Sequence, residues 1–155
     1  MSLVEPNKKP QVDAIVETII YLYTESRRLT KEMARGFGLT GPQLTVIKLL
    51  EQLGDLSLSN LSDRIKAQNS TVTGIIDRME REELVKRERS EQDRRMVLIR
   101  LTPKGAELAK RIQVQPMDLF RAALADLPER DIEELFRILG VVQNHVRASL
   151  DQSSS

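Results

Sequence analysis

The sequence predicts a mainly α fold with a small β-hairpin wing: a winged helix-turn-helix lobe, with a helical lobe built from the N- and C-terminal helices. Three observations lead there. Apolar residues recur at three- and four-residue steps over long stretches near both ends of the chain. Two short helical patterns, "SLSNLSDRIKA" and "NSTVTGIIDRMERE", are separated by a turn of about three residues. Directly after them, "LVKRER" and "MVLIRL" read as strands on either side of a polar turn, Ser90–Arg95.

Taken in order, residues 1–10 hold two prolines and two lysines and read as a loose arm. Val12, Ile15, Val16, Ile19, Tyr23, Leu29 and Met33 predict one long helix to about Arg35, which "GFGL" ends. "LTGPQLTVIKLLEQLG" is a second helix, with Thr40 as cap, Pro42 in the first turn and Gly54 at the end. Ser57 caps the first short helix, whose face is Leu58, Leu61 and Ile65. After a break near residues 66–68, the second short helix turns Val72, Ile75, Ile76 and Met79 inward. Val97, Ile99 and Leu101 alternate along the second strand. Thr102 and Pro103 then start a further helix, which Pro116 should kink rather than end, because apolar residues continue through Leu124. The last helix begins near Pro128, with the stripe Ile132, Leu135, Phe136, Leu139, Val142, Val146 and Leu150, and "DQSSS" is a frayed tail.

These elements divide one domain, residues 1–155, into a winged lobe over 40–102 and a helical lobe from 11–36 and 103–150. The terminal helices carry more apolar surface than a compact winged lobe needs to cover. A two-fold pairing with a second copy is the simplest closed way to bury it.

Composition narrows the function. With 155 residues, 40% hydrophobic and 30% charged, the chain is globular rather than disordered. No apolar run approaches the roughly 20 residues that span a bilayer, and "MSLVEPNKKPQ" lacks the apolar core of a secretory signal, so a cytoplasmic protein without a membrane partner is expected. There is no cysteine, hence no disulfide framework and no thiol switch. The single histidine, His145, has no cysteine or second histidine to share a zinc site and reads as a structural or interface residue. Neither a glycine-rich phosphate loop nor a nucleophile elbow is found, and the carboxylates are scattered over helix faces. An enzyme is therefore not expected, nor a metal or cofactor.

The charge distribution says more than the net charge of +1. From Leu84 to Leu101 six basic residues stand against three acidic ones, whereas from Asp126 to Asp151 three stand against six. In "NSTVTG", Asn69, Ser70, Thr71 and Thr73 cluster at the start of the second short helix. That end can enter a major groove and present side chains to base edges, with its positive dipole toward a phosphate. A capped helix start would explain one such residue well and four poorly. At the hairpin tip, Arg94 and Arg95 can reach the adjacent minor groove, and Asp93 can hold an arginine in a fixed fork. The candidate DNA-contacting set is Gln68, Asn69, Ser70, Thr71, Thr73, Arg78, Arg87, Arg89, Asp93, Arg94 and Arg95.

From Leu39 to Gly105 the chain resembles MarR-family (multiple antibiotic resistance regulator) transcriptional regulators, through "LSLSNLSDRI", "STVTGIIDRME" and "LVKRERSEQDRR". Above all, "DRRMVLIRLTPKG" fits the family's wing pattern D-x-R-x-x-x-[IL]-x-L-T-x-x-G through Asp93, Arg95, Ile99, Leu101, Thr102 and Gly105. The resemblance implies a homodimer with intertwined outer helices, bound to a pseudo-palindromic operator in double-stranded DNA, with either Arg94 or Arg95 in the minor groove. It also implies a repressor released by a small aromatic or phenolic ligand held between the lobes. Tyr21, Tyr23 and Arg27 of the first helix are the candidate ligand contacts. Two positions depart from the family: Lys66 and Glu83 stand where glycine is frequent, and each implies an unusual backbone conformation or a different helix end. The alternative function is a winged protein-interaction module that does not bind DNA.

Overall fold

The computed structural model describes residues 7–113, 115 and 117–153, which form two compact units, Met1–Pro116 and Met117–Ser155. The first contains α1 (Lys9–Gly36), α2 (Gly41–Leu53), β1 (Leu56–Ser57), α3 (Leu58–Ile65), α4 (Asn69–Arg81), β2 (Val85–Arg89), β3 (Val97–Leu101) and α5 (Pro103–Arg111). The second contains α6 (Asp118–Ala125) and α7 (Glu129–Ser153).

Side-chain caps set the helix starts. Thr40 Oγ1 accepts from the Gln43 N–H while Gln43 Oε1 accepts from the Thr40 N–H, a reciprocal capping box at α2. Ser57 Oγ accepts from the Asn60 N–H at 3.1 Å and Thr102 Oγ1 from the Gly105 N–H at 3.0 Å, starting α3 and α5. The core lies among Leu44, Ile47 and Leu50 of α2, Leu61 of α3, Val72, Ile76 and Met79 of α4, and Val85 and Ile99 of the sheet. Each such side chain taken from water contributes on the order of 1.5–3 kcal/mol, so α4 is held by its buried face and leaves Asn69, Ser70, Thr71 and Arg78 exposed.

The sheet is antiparallel in the order β1-β3-β2, with Arg87 opposite Ile99 and Val85 opposite Leu101. β1 was not expected. It is two residues long and exists because β3 pairs with it, Leu56 opposite Ile99. Along β3 the expected alternation fades outward: Ile99 is buried, Leu101 half-buried, and Val97 43% exposed as the hairpin leaves the core.

Three other expectations are corrected. The loose arm gives way to helix at Lys9, with Pro10 in the first turn of α1; residues 1–6 lie outside the described residues. Instead of one kinked helix there are two, α5 ending at Arg111 and α6 starting at Asp118. Pro116 itself lies outside the described residues. A continuing helix would bond the Ile112 carbonyl to the N–H of residue 116, and proline has none. Lys48 Nζ donates to that carbonyl instead at 2.9 Å, and to the Ala109 carbonyl at 3.3 Å. Finally, helix α7 continues through Ser153, whose hydroxyl donates to the Ser149 carbonyl, so the tail is helical to that point.

Candidate nucleic-acid interface

Both short helices end in a left-handed turn. Lys66 has φ 56° after α3 and Glu83 has φ 60° after α4, so the two positions where glycine was missing do adopt the conformation glycine favours. In each case a later N–H reaches back five residues, Ala67 to the Ser62 carbonyl at 3.1 Å and Leu84 to the Met79 carbonyl at 2.9 Å. These turns fix α4 between α3 and the wing.

At the start of α4, Gln68 is the cap residue in extended backbone, and its side chain makes no capping bond. Gln68, Asn69, Ser70 and Thr71 are all exposed. Thr73 differs: it is half-buried, and its hydroxyl donates to the Asn69 carbonyl at 2.8 Å. The structure thus gathers four of the predicted polar residues on an open helix end and turns the fifth partly inward. Arg78 is exposed further along the same helix.

The wing tip is closed by its backbone. Ser90 and Met96 are joined by an N–H to carbonyl bond of 2.9 Å, and the Met96 N–H donates to the Asp93 carbonyl, also at 2.9 Å. Among the described residues Asp93 holds no arginine side chain. Its carboxylate accepts the backbone N–H of Arg95 at 3.0 Å, an Asx turn that shapes the tip, and this corrects the expected fork. Arg89, Arg94 and Arg95 are exposed, and among the described residues no ion pair involves them or Arg78.

Arg87 is placed differently. Its guanidinium meets Glu80, and Nη2 lies 2.6 Å from Asp77 Oδ1, so this strand residue grips the back of α4. Partial burial works against the Arg87 charge, but the Asp77 hydrogen bond and the Glu80 and Asp77 charges outweigh it and hold the guanidinium above its ordinary pKa. On the sheet's outer face, Arg100 bonds Asp55 at 2.6 Å and Glu88 at 2.8 Å, tying the residue before β1 to β3 and β2. The hydrogen bond from Lys86, helped by the Arg100 charge, holds the Glu88 carboxyl below the usual carboxylate range.

A cleft of about 1000 Å³ opens within the first unit between α1, α2, α3 and α4. Tyr23 and Arg27 line it, with Arg27 Nη1 3.2 Å from the Tyr23 hydroxyl, whereas the predicted Tyr21 does not, being 63% exposed elsewhere on α1. Arg28, Lys31, Arg35 and Arg64 also line it, and among the described residues no carboxylate does. Sequence reading missed these four cations. Arg28, Lys31 and Arg35 follow one another at three- and four-residue steps along α1, a signal that could have found them, whereas Arg64 on α3 joins them only through packing.

His145 is exposed on α7, and among the described residues no group of three or more histidine or acidic side chains could hold a metal ion. No helix in the described residues is long and apolar enough to cross a membrane.

Known proteins resemble this chain. The MarR family profile matches residues 39–97. Over 121 residues the chain is 32% identical to the HTH-type transcriptional repressor IacR of Pseudomonas putida, spanning 77% of this chain and 70% of that protein. The crystal structure of AbsC, a MarR family transcriptional regulator from Streptomyces coelicolor, matches with TM-score 0.74 at 22% identity, over 96% of this chain and 99% of that one. Reduced AbfR bound to DNA matches with TM-score 0.63 at 24% identity, over 90% of this chain and 98% of that one.

Proposed function

The chain belongs to the MarR family of transcriptional regulators, and from that premise we propose that it is a cytoplasmic, homodimeric, sequence-specific repressor of a pseudo-palindromic DNA operator. The observation that carries this reading is the pairing of an open polar helix end, Gln68–Thr71, with a wing whose Arg94 and Arg95 are exposed and unpaired among the described residues. The helix end suits base edges in a major groove, and the arginines suit the negative potential of a narrow minor groove. Arg78 and Arg89 are placed to meet phosphates.

Two further features support the rest of the proposal. α1 exposes Val12, Ile15, Val16, Ile19 and Leu22, and α7 exposes Ile132, Phe136, Leu139, Val146 and Leu150, apolar faces that a second copy would bury. The cleft, cationic with an aromatic wall, suits a small aromatic or phenolic acid as the releasing ligand.

The test is a screen of randomised and genomic duplexes with the purified protein across a salt series. Several phosphate contacts per dimer give an affinity that falls steeply with salt, with a log–log slope of several units. A net charge of only +1 keeps the rival reading, a protein-interaction module, in play, and absent or salt-independent DNA binding would favour that rival.

A further inference from the structure

Among the basic residues of the candidate interface, Arg87 is set apart by a guanidinium already engaged within the chain. It extends from β2, the strand that launches the wing, and meets Asp77 and Glu80, which lie three residues apart on α4. Its backbone N–H also donates to Glu80 Oε1 at 3.4 Å. One planar side chain therefore bridges the helix that presents Gln68–Thr71 and the hairpin that presents Arg94 and Arg95. A guanidinium is suited to this because its donors form a rigid fork that two carboxylates can grip from one side.

We propose that Arg87 is a positioning residue and not a phosphate contact: it locks the wing to α4 so that the two elements engage adjacent grooves as one body. This rests on the DNA-binding reading above. Geometry makes the lock matter. Five strand residues give the hairpin a lever of about 17 Å, and a tilt of roughly 10° about its base moves the tip by about 3 Å, the length of a hydrogen bond. Without the fork, arginines docked in the minor groove no longer place the helix end against its bases. Asp77 and Glu80 also lose the charge that offsets them beside DNA.

The experiment is a double-mutant cycle on the duplex that the parent protein itself selects from a randomised library. Thr71→Ala reports on the helix and the Arg94→Ala/Arg95→Ala pair on the wing, with folding checked by thermal melts. In the parent the two changes should be non-additive, coupled by about tenfold in affinity. With Arg87→Gln the coupling should fall to within about twofold while the salt slope stays unchanged. The Asp77→Asn/Glu80→Gln pair should abolish the coupling equally with Arg87 intact, and it serves alone if Arg87→Gln fails to fold. Persisting coupling in either background overturns the proposal. So does a salt slope that drops by about one per subunit with Arg87→Gln, the signature of a phosphate contact. Tighter binding by Asp77→Asn/Glu80→Gln, with coupling kept, overturns it too, since a freed Arg87 would then be reaching DNA. A parent that selects no duplex fails the DNA-binding reading itself, and the positioning role with it.

Discussion

Gly105 lies so close to the carbonyl oxygen of Leu84 that a Cβ on it would stand 2.0 Å from that oxygen. The same oxygen accepts the Thr102 N–H at 3.1 Å, so the first turn of α5 is drawn onto the start of β2. Glycine is needed here for space, because the contact is with backbone that cannot swing aside. Gly105→Ala should therefore destabilise the protein by about 2–3 kcal/mol or more, as overpacking against a fixed wall does. Chemical denaturation measures this directly, and a variant as stable as the parent would contradict the geometry.

Lys66 and Glu83 call for the opposite change. A left-handed residue with a Cβ costs roughly 1–2 kcal/mol, against about 0.5–1 kcal/mol for the extra freedom glycine loses on folding. Lys66→Gly and Glu83→Gly should each leave stability level or raise it, by up to about 1 kcal/mol, whereas Lys66→Val should lower it. Thermal melts of the three variants decide the matter; a clear loss with glycine would mean that the side chains themselves hold the turns.

Lys48 offers a test of the helix break. Its side chain is mostly buried, and its ammonium serves the Ala109 and Ile112 carbonyls as well as Glu51. Lys48→Met keeps the apolar stem and removes the donor, which should cost about 1.5–3 kcal/mol, the range for hydrogen bonds to a charged group. Glu51→Gln should cost less than about 1 kcal/mol, since it removes only the more exposed ion pair. If the two substitutions cost the same, the carbonyl contacts are incidental.

The wing tip separates shape from charge. Because the Asp93 carboxylate accepts the Arg95 N–H, Asp93→Asn keeps an acceptor in place and should bind DNA like the parent. Asp93→Ala should loosen the tip and weaken binding by a few fold, in line with about 0.5–1 kcal/mol for one such bond. Equal weakening by both substitutions would show that the charge of Asp93, and not its turn, is what counts.

Much of this was legible in the chain because the signals are local. The caps Thr40, Ser57 and Thr102 act on N–H groups three residues ahead, and the stripe through Val72, Ile76 and Met79 needs nothing beyond its own helix. The exposed start of α4 and the arginine-bearing tip belong to the same class, whereas the left-handed turns at Lys66 and Glu83 were signalled only by the family resemblance. Part of the MarR-family wing pattern is local too: Asp93 and Thr102 act on N–H groups two and three residues ahead, whereas Gly105 answers to the distant Leu84 carbonyl.

What the chain alone left open is whatever depends on a distant partner. β1 is a strand because Ile99 lies opposite Leu56. α5 stops where an ammonium 64 residues earlier in the chain reaches the Ile112 carbonyl. Arg87 and Arg94 read alike in sequence, yet packing brings the first within reach of Asp77 and Glu80 and leaves the second in solvent. The sequence by itself determined which backbone each short segment prefers, since those preferences arise from sterics and hydrogen bonds within a few residues. Tertiary structure alone decided that Arg87 is engaged while Arg94 and Arg95 stay in solvent, because a charge is neutralised by whichever opposite charge the packed elements bring within a few ångströms.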